Sequence, residues 1–233
     1  MIQLVDAGVR VKVLAGRSWV SRSILTDVTL TLSERRIAFV GANGSGKTTL
    51  LRLLNGLVTP TVGKVLVDGL DTVSDSRDVR RRVGFVFTDP LSQLVMPTPA
   101  EDVELSLRRT IKDAAARRDA AVALLDGRGL AHLAHQSIYD LSGGERQMVA
   151  LTSVLAVNPQ VLVADEPTTL LDLRNRNALR RLLDSLPQQV IVATHDLGLA
   201  SDADRVIVVH DGRIAFDGDP TPAIDHYRAL VEA

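Results

Sequence analysis

Two stretches near the amino end alternate apolar and polar residues, Val9-Arg10-Val11-Lys12-Val13 and Asp27-Val28-Thr29-Leu30-Thr31-Leu32. A period of two predicts strands, with a turn at Ala15-Gly16-Arg17-Ser18. Apolar runs follow at Ile37–Val40, Val83–Phe87, Gln160–Ala164, Val190–Ala193 and Arg205–Val209, and each predicts a further strand. Lys64–Val67 is another, between a turn at Thr59–Gly63 and Asp68-Gly69. Helical spacing occupies Leu50–Leu54, Ser76–Arg82, Glu145–Val157, Leu173–Leu186 and Leu197–Asp202. Strands alternating with helices predict a mostly parallel sheet. The early strands predict a small antiparallel sheet beside it. From about Leu91 to Asp140 the texture changes. Pro97 and Pro99 punctuate the start, Glu101–Arg109 and Ile111–Leu125 show helical spacing, and no strand is evident. The expected fold is α/β: a mostly parallel sheet, a small N-terminal antiparallel β subdomain and an inserted helical subdomain. It forms one domain over residues 1–233, with 1–90 and 141–233 as its core and 91–140 as the insertion.

Composition narrows this picture. The 233 residues are 45% hydrophobic and 24% charged, with a net charge of −1. That suits one large α/β domain with an added subdomain. It gives no support for broad electrostatic binding to nucleic acid. With no cysteine, disulfides and thiolate metal sites are excluded. No apolar run approaches the ~20 residues a membrane helix needs, and Met1–Asp6 lacks the basic start and apolar core of a signal peptide. The chain is expected to be soluble and cytoplasmic, reaching a membrane only through a partner.

The candidate chemistry begins at Gly41-Ala42-Asn43-Gly44-Ser45-Gly46-Lys47-Thr48-Thr49. An apolar strand precedes it and a helix follows, the context that makes a phosphate loop credible. Gly41, Gly44 and Gly46 permit backbone shapes that turn N–H groups toward a phosphate. Lys47 is placed to reach β- and γ-phosphates and Thr48 to bind Mg²⁺. The run Val161–Ala164 ends in Asp165-Glu166-Pro167. Acids at a strand's carboxyl end sit where α/β sheets collect ligands. Asp165 is therefore a candidate to hold Mg²⁺, through water, and Glu166 to polarise an attacking water. Thr194-His195-Asp196 closes the next strand, so His195 is a candidate to hydrogen-bond the γ-phosphate and orient the water. In Leu141-Ser142-Gly143-Gly144-Glu145-Arg146-Gln147, Ser142 suits a helix cap and the glycines leave N–H groups approachable. The basic run Arg80-Arg81-Arg82 reads as a solvated face. Trp19, the only tryptophan, reads either as packing or as a base-stacking residue.

Taken together in this order and spacing, the loop at 41–49, the 141–147 segment, Asp165-Glu166-Pro167-Thr168, Asp172 and His195 resemble the ATP-binding cassette ATPases over essentially the whole chain. The resemblance implies a phosphate-loop NTPase core hydrolysing Mg²⁺-ATP, with Asn43, Ser45 and Thr49 joining the other loop residues at the nucleotide. It also implies a head-to-tail dimer, a homodimer by preference. Ser142, Gly143 and Gly144 then act on the ATP held by the partner, and Asp172 links the two sites. Val83–Val95 and Pro97–Val103 look like energy-coupling-factor importers of vitamins and Co²⁺ or Ni²⁺, with biotin the favoured cargo. That implies integral-membrane T-type and S-type subunits, with the ATPase on the cytoplasmic face of the membrane. Other readings are the ATPase of another importer, a soluble assembly ATPase of the iron–sulfur type, and ATP-driven DNA repair, which the neutral charge and the lack of a coiled-coil insertion disfavour. Two positions depart from the family pattern. Thr88 stands where a Gln contacting Mg²⁺ and water is usual, and a Thr hydroxyl still offers an oxygen there. Val13 stands where an aromatic usually stacks on adenine, which implies either weaker adenine stacking or a substitute in Trp19.

Overall fold

The computed structural model describes residues 1–16 and 18–232. Arg17, part of the expected first turn, lies outside them. The antiparallel sheet has strand order β2-β1-β4-β5, from β1 (Ile2–Ala15), β2 (Ser18–Leu32), β4 (Val62–Val67) and β5 (Leu70–Asp71). The second sheet contains β3 (Arg36–Val40), β6 (Val83–Val86), β7 (Val161–Asp165), β8 (Gln189–Ala193), β9 (Arg205–His210) and β10 (Arg213–Gly218). Its order is β10-β9-β3-β8-β7-β6, and only β10 runs antiparallel to its neighbour. The helices are α1 (Lys47–Leu54), α2 (Ser76–Arg82), α3 (Pro99–Leu107), α4 (Ala114–Asp126), α5 (Gly143–Leu155), α6 (Leu173–Ser185), α7 (Leu197–Ser201) and α8 (Pro220–Glu232).

The central strands are apolar on both faces because both faces are covered. Ile37 and Phe39 of β3 point into a core shared with α1 and the antiparallel sheet. Their neighbours Ala38 and Val40 point the other way, into a core shared with α5, α6, α7 and α8. A third cluster joins α3 and α4 to Val149 and Ala150 of α5, so the inserted helices pack on the helix that follows them.

The structure differs from the sequence expectation at several ends. β1 begins at Ile2 rather than Val9, because Ile2 through Val5 pair with Lys64–Val67 of β4. Asp6 takes a positive φ of 48°, and the register shifts between Leu4, Ala7 and Val9 break the alternation that would have revealed the strand. β10 and α8 were not expected. The only side chains that β10 half-buries are Ile214 and Phe216, Gly218 having none, and α8 buries only Ala223 and Ile224. Capping moves two helix starts: Thr98 caps α3 and Asp113 caps α4, so Ile111 lies before the helix expected to begin there.

Candidate active site

The loop between β3 and α1 folds as its sequence requires. A Cβ on Gly41 would stand 2.2 Å from the Val209 carbonyl oxygen, and one on Gly46 2.8 Å from Leu25 Cδ2. Gly44 and Gly46 have φ of 81° and 110°, a region that L side chains resist. A side chain at Gly41 would press the loop off β9, and one at Gly46 off β2. The loop opens on a cavity of about 320 Å³ lined by Asn43, Gly44, Gly46, Lys47, Thr48 and Thr49, together with Glu166, Arg22 and Ile24.

Three features fit this cavity to a phosphate chain. Lys47 is buried, and its Nζ donates to the Gly41 and Ala42 carbonyls at 2.7 and 3.1 Å. Burial holds its pKa below the usual lysine value, with Glu166 and Asp165 pulling the other way, so an anion beside it stabilises the charged form. Ser45 Oγ is buried and has no hydrogen-bond partner among the described residues, a deficit that an acceptor or donor in the loop relieves. Thr48 Oγ1 donates to Asp165 Oδ1 at 3.1 Å. A hydroxyl and a carboxylate, both hard oxygen donors beside a phosphate loop, suit Mg²⁺, which is usually held by one or two carboxylates plus phosphates.

Asp165 is 2% exposed and ends β7, directly paired with Ala193 of β8. The two residues after each strand therefore emerge side by side. Glu166 has a φ of 50°, uncommon for a residue with a side chain, and its N–H donates to the Ala193 carbonyl at 2.8 Å. This turn sends the Glu166 carboxylate to His195. His195 Nδ1 lies 2.6 Å from Glu166 Oε2, and the His195 backbone N–H donates to the same oxygen at 3.1 Å. A carboxylate facing Nδ1 keeps the ring proton there and leaves Nε2 free.

Comparison with known proteins places this geometry. Residues 25–169 match the ABC transporter family. A biotin transport ATP-binding protein of Rhizobium etli is 43% identical over 217 residues, covering 93% of this chain and 96% of the relative. A cobalt import ATP-binding protein of Syntrophus aciditrophicus is 38% identical, covering 85% and 73%. The chain is an ATP-hydrolysing subunit of the ABC transporter family. A dimeric ATP-binding cassette solved with ADP and Pi, MJ0796, superposes on this ATPase with a TM-score of 0.81 at 30% identity, covering 94% of this chain and 99% of that one.

The remaining site residues predicted for the ATPase lie apart from the loop. Ser142 caps α5 in a reciprocal capping box: Glu145 N–H donates to Ser142 Oγ at 3.3 Å, and Ser142 N–H donates to Glu145 Oε2 at 2.7 Å. The bonds from Ser142 hold the Glu145 carboxyl below its usual pKa. Gly143 and Gly144 pack on the Leu170–Asn175 segment, where a Cβ on Gly144 would stand 2.9 Å from Asn175 Nδ2. Asp172 caps α6 through Asn175 N–H at 2.8 Å. Among the described residues, none of this group lines the loop cavity, and their side-chain hydrogen bonds stay within the group and its own helix caps. Thr88 follows β6 at the carboxyl edge of the sheet and is not among the residues lining the cavity. Trp19 is 69% exposed on the β1–β2 hairpin, opposite Leu14. Arg22 and Ile24 of β2, which sequence reasoning did not select, line the cavity instead. Their signal lies in the pairing of two strands and not in any local motif.

A second surface of the ATPase adjoins the inserted helices. A groove of about 330 Å³ is lined by Leu57, Phe85, Phe87, Val95, Leu105 and Val157, among others, and Val95 is 70% exposed. The buried carboxylate of Asp102 fixes one wall. It accepts from Val95 N–H at 2.9 Å, Met96 N–H at 3.3 Å and Ser153 Oγ at 2.8 Å. Ser153 sits on α5, whose other end is Ser142. Gln93, on the same loop, accepts from Phe87 N–H at 3.2 Å.

Proposed function

We propose that this ATPase powers an importer of the energy-coupling-factor type, with biotin as its favoured cargo. The observation that carries the cargo assignment is the near full-length match to the Rhizobium etli biotin transport protein. The lower match to the cobalt import protein keeps a transition-metal ion as the second reading. The exposed apolar groove favours transport over a soluble assembly role, because its size and lining suit a helix from an integral-membrane subunit, a T-type or S-type partner. Docked there, the ATPase works on the cytoplasmic face of the membrane. No described helix is long and apolar enough to cross a membrane, so a partner must supply the path.

The reaction is phosphoryl transfer from ATP to water, in which positioning and charge supply most of the catalysis. Lys47, Ser45 and the loop N–H groups bind the phosphates. Thr48 and Asp165 would hold Mg²⁺, which when bound would supply positive charge beside the phosphate oxygens. Glu166 accepts the proton of the attacking water. His195 keeps the Glu166 carboxylate in place through Nδ1 and presents Nε2 toward the γ-phosphate. Ser142, Gly143 and Gly144 complete the site from a second copy of the chain, and Asp172 lies between the two sites. The dimeric solved cassette supports this arrangement.

Thr88 serves as the link between nucleotide and groove. It follows β6, whose residues Phe85 and, just beyond the strand, Phe87 line that groove. Thr88→Val keeps the branched shape and removes the hydroxyl. Uptake by the assembled transporter falls several-fold, with ATP affinity changed less than turnover, and Thr88→Gln is tolerated. Unchanged uptake and ATPase rate in Thr88→Val would remove Thr88 from the mechanism.

The cargo assignment is tested by co-expressing this chain with its integral-membrane subunits and measuring labelled biotin and Co²⁺ uptake. ATP-dependent biotin uptake that is lost with Lys47→Ala supports the reading. Co²⁺ uptake alone would assign the metal, and a complex purified without any membrane subunit would favour the assembly role.

A further inference from the structure

The phosphate-loop cavity leaves a question at its nucleoside end. Gly46 abuts β2: a Cβ there would lie 3.1 Å from the Ile24 carbonyl oxygen. β2 is therefore the wall along which a nucleotide leaves the loop, and Ile24 and Arg22 are its residues in the cavity. Two residues of strand separate Arg22 from Ile24 by about 6.6 Å, so the two residues line different stretches of the cavity wall.

The hairpin face that carries Arg22 holds no aromatic ring. Lys12 to Leu14 pair in unbroken register with Ser21 to Trp19, and Val11 pairs with Arg22. Successive side chains on a strand point to opposite faces. Arg22 therefore shares its face with Val11, Val13 and Val20, while Trp19 lies on the other face with Leu14 and Lys12. Trp19 cannot stack on a base bound at this loop without reversing the hairpin's register. Arg22 is exposed and takes part in no ion pair among the described residues, unlike Arg213, which pairs with Asp27 of β2. Its planar guanidinium is free to lie on a ring.

We propose that Arg22 forms the nucleobase platform of this ATPase, its guanidinium stacked flat on the purine of ATP while the aliphatic face of Val11, Val13 and Val20 packs around it. Arginine stacks on aromatic and base faces through its delocalised plane, which a lysine ammonium lacks. The proposal rests on ATP binding at the phosphate loop and is independent of the transported cargo.

The test is calorimetric binding of Mg²⁺-ATP and of Mg²⁺-tripolyphosphate, which has no base, to the full chain carrying Glu166→Gln so that hydrolysis does not intervene. Arg22→Met, similar in length and without a charge or plane, weakens ATP binding about 5- to 10-fold and leaves tripolyphosphate binding unchanged. The unchanged tripolyphosphate affinity also reports an intact loop. Arg22→Tyr restores ATP affinity to within about 2-fold of the parent, and Arg22→Lys does not. Unchanged ATP affinity in Arg22→Met overturns the proposal. So does an equal loss of tripolyphosphate affinity that Arg22→Lys rescues, which would make Arg22 a charge contact to phosphate. A parent chain that binds neither ligand would overturn the phosphate-loop reading itself, and the proposal with it.

Discussion

Replacing Glu166 by Gln lowers ATP turnover by about 10²-fold or more and leaves ATP binding intact, the scale expected when a general base is lost. The substitution keeps the size and hydrogen-bonding reach of the side chain. It removes the charge that faces His195 Nδ1 at 2.6 Å and the capacity to take a proton from water. Fold stability should change little, because the backbone turn at Glu166 is held by its own N–H bond to Ala193, which the variant retains. Single-turnover hydrolysis with saturating Mg²⁺-ATP reads the chemical step directly. Turnover within a few-fold of the unaltered protein would contradict the role given to Glu166 and move the base to another group.

Ser142→Arg abolishes measurable steady-state hydrolysis in the assembled dimer, a loss of about 10²-fold or more, on the scale of removing a transition-state donor. Ser142 is exposed and none of the loop-cavity residues belongs to its segment, so a single chain carrying the variant keeps its nucleotide pocket. The cap of α5 weakens by about 1 kcal/mol, a small part of the stability of a domain this size. Mg²⁺-ATP therefore still binds each isolated chain with unaltered affinity. Loss of that affinity in the isolated chain would mean that Ser142 serves its own phosphate loop.

How much of this was readable in advance varied with the range of the interaction. The phosphate loop is a contiguous motif, and Gly41 to Thr49 occupy the strand–loop–helix setting their sequence demanded. Asp165 and His195 were each recognisable as strand-ending residues. What the sequence did not contain is that β7 and β8 are neighbours in register, Asp165 against Ala193, which is why Glu166 and His195 meet. Cross-strand pairing also hid Arg22: an exposed arginine on an alternating strand looks like any solvated charge until the opposite strand and the loop beside it are known. Trp19 attracted notice as the only tryptophan, and one step of strand parity puts it on the wrong face. β10 and α8 escaped because each buries so few side chains that its periodicity is faint. The bulge at Asp6 cut β1 in two for the same kind of reason, since a positive φ resets the alternation of faces.

The most direct test of composite hydrolytic sites uses a mixed dimer in which one chain carries Lys47→Ala and the other Ser142→Arg, with Glu166→Gln in both to trap nucleotide. If the signature of one chain completes the loop of the other, both lesions fall in the same site, and the second site is intact. The account predicts one trapped Mg²⁺-ATP per mixed dimer, counted after rapid gel filtration. No trapped nucleotide, as expected if each loop uses the Ser142 of its own chain, would contradict it.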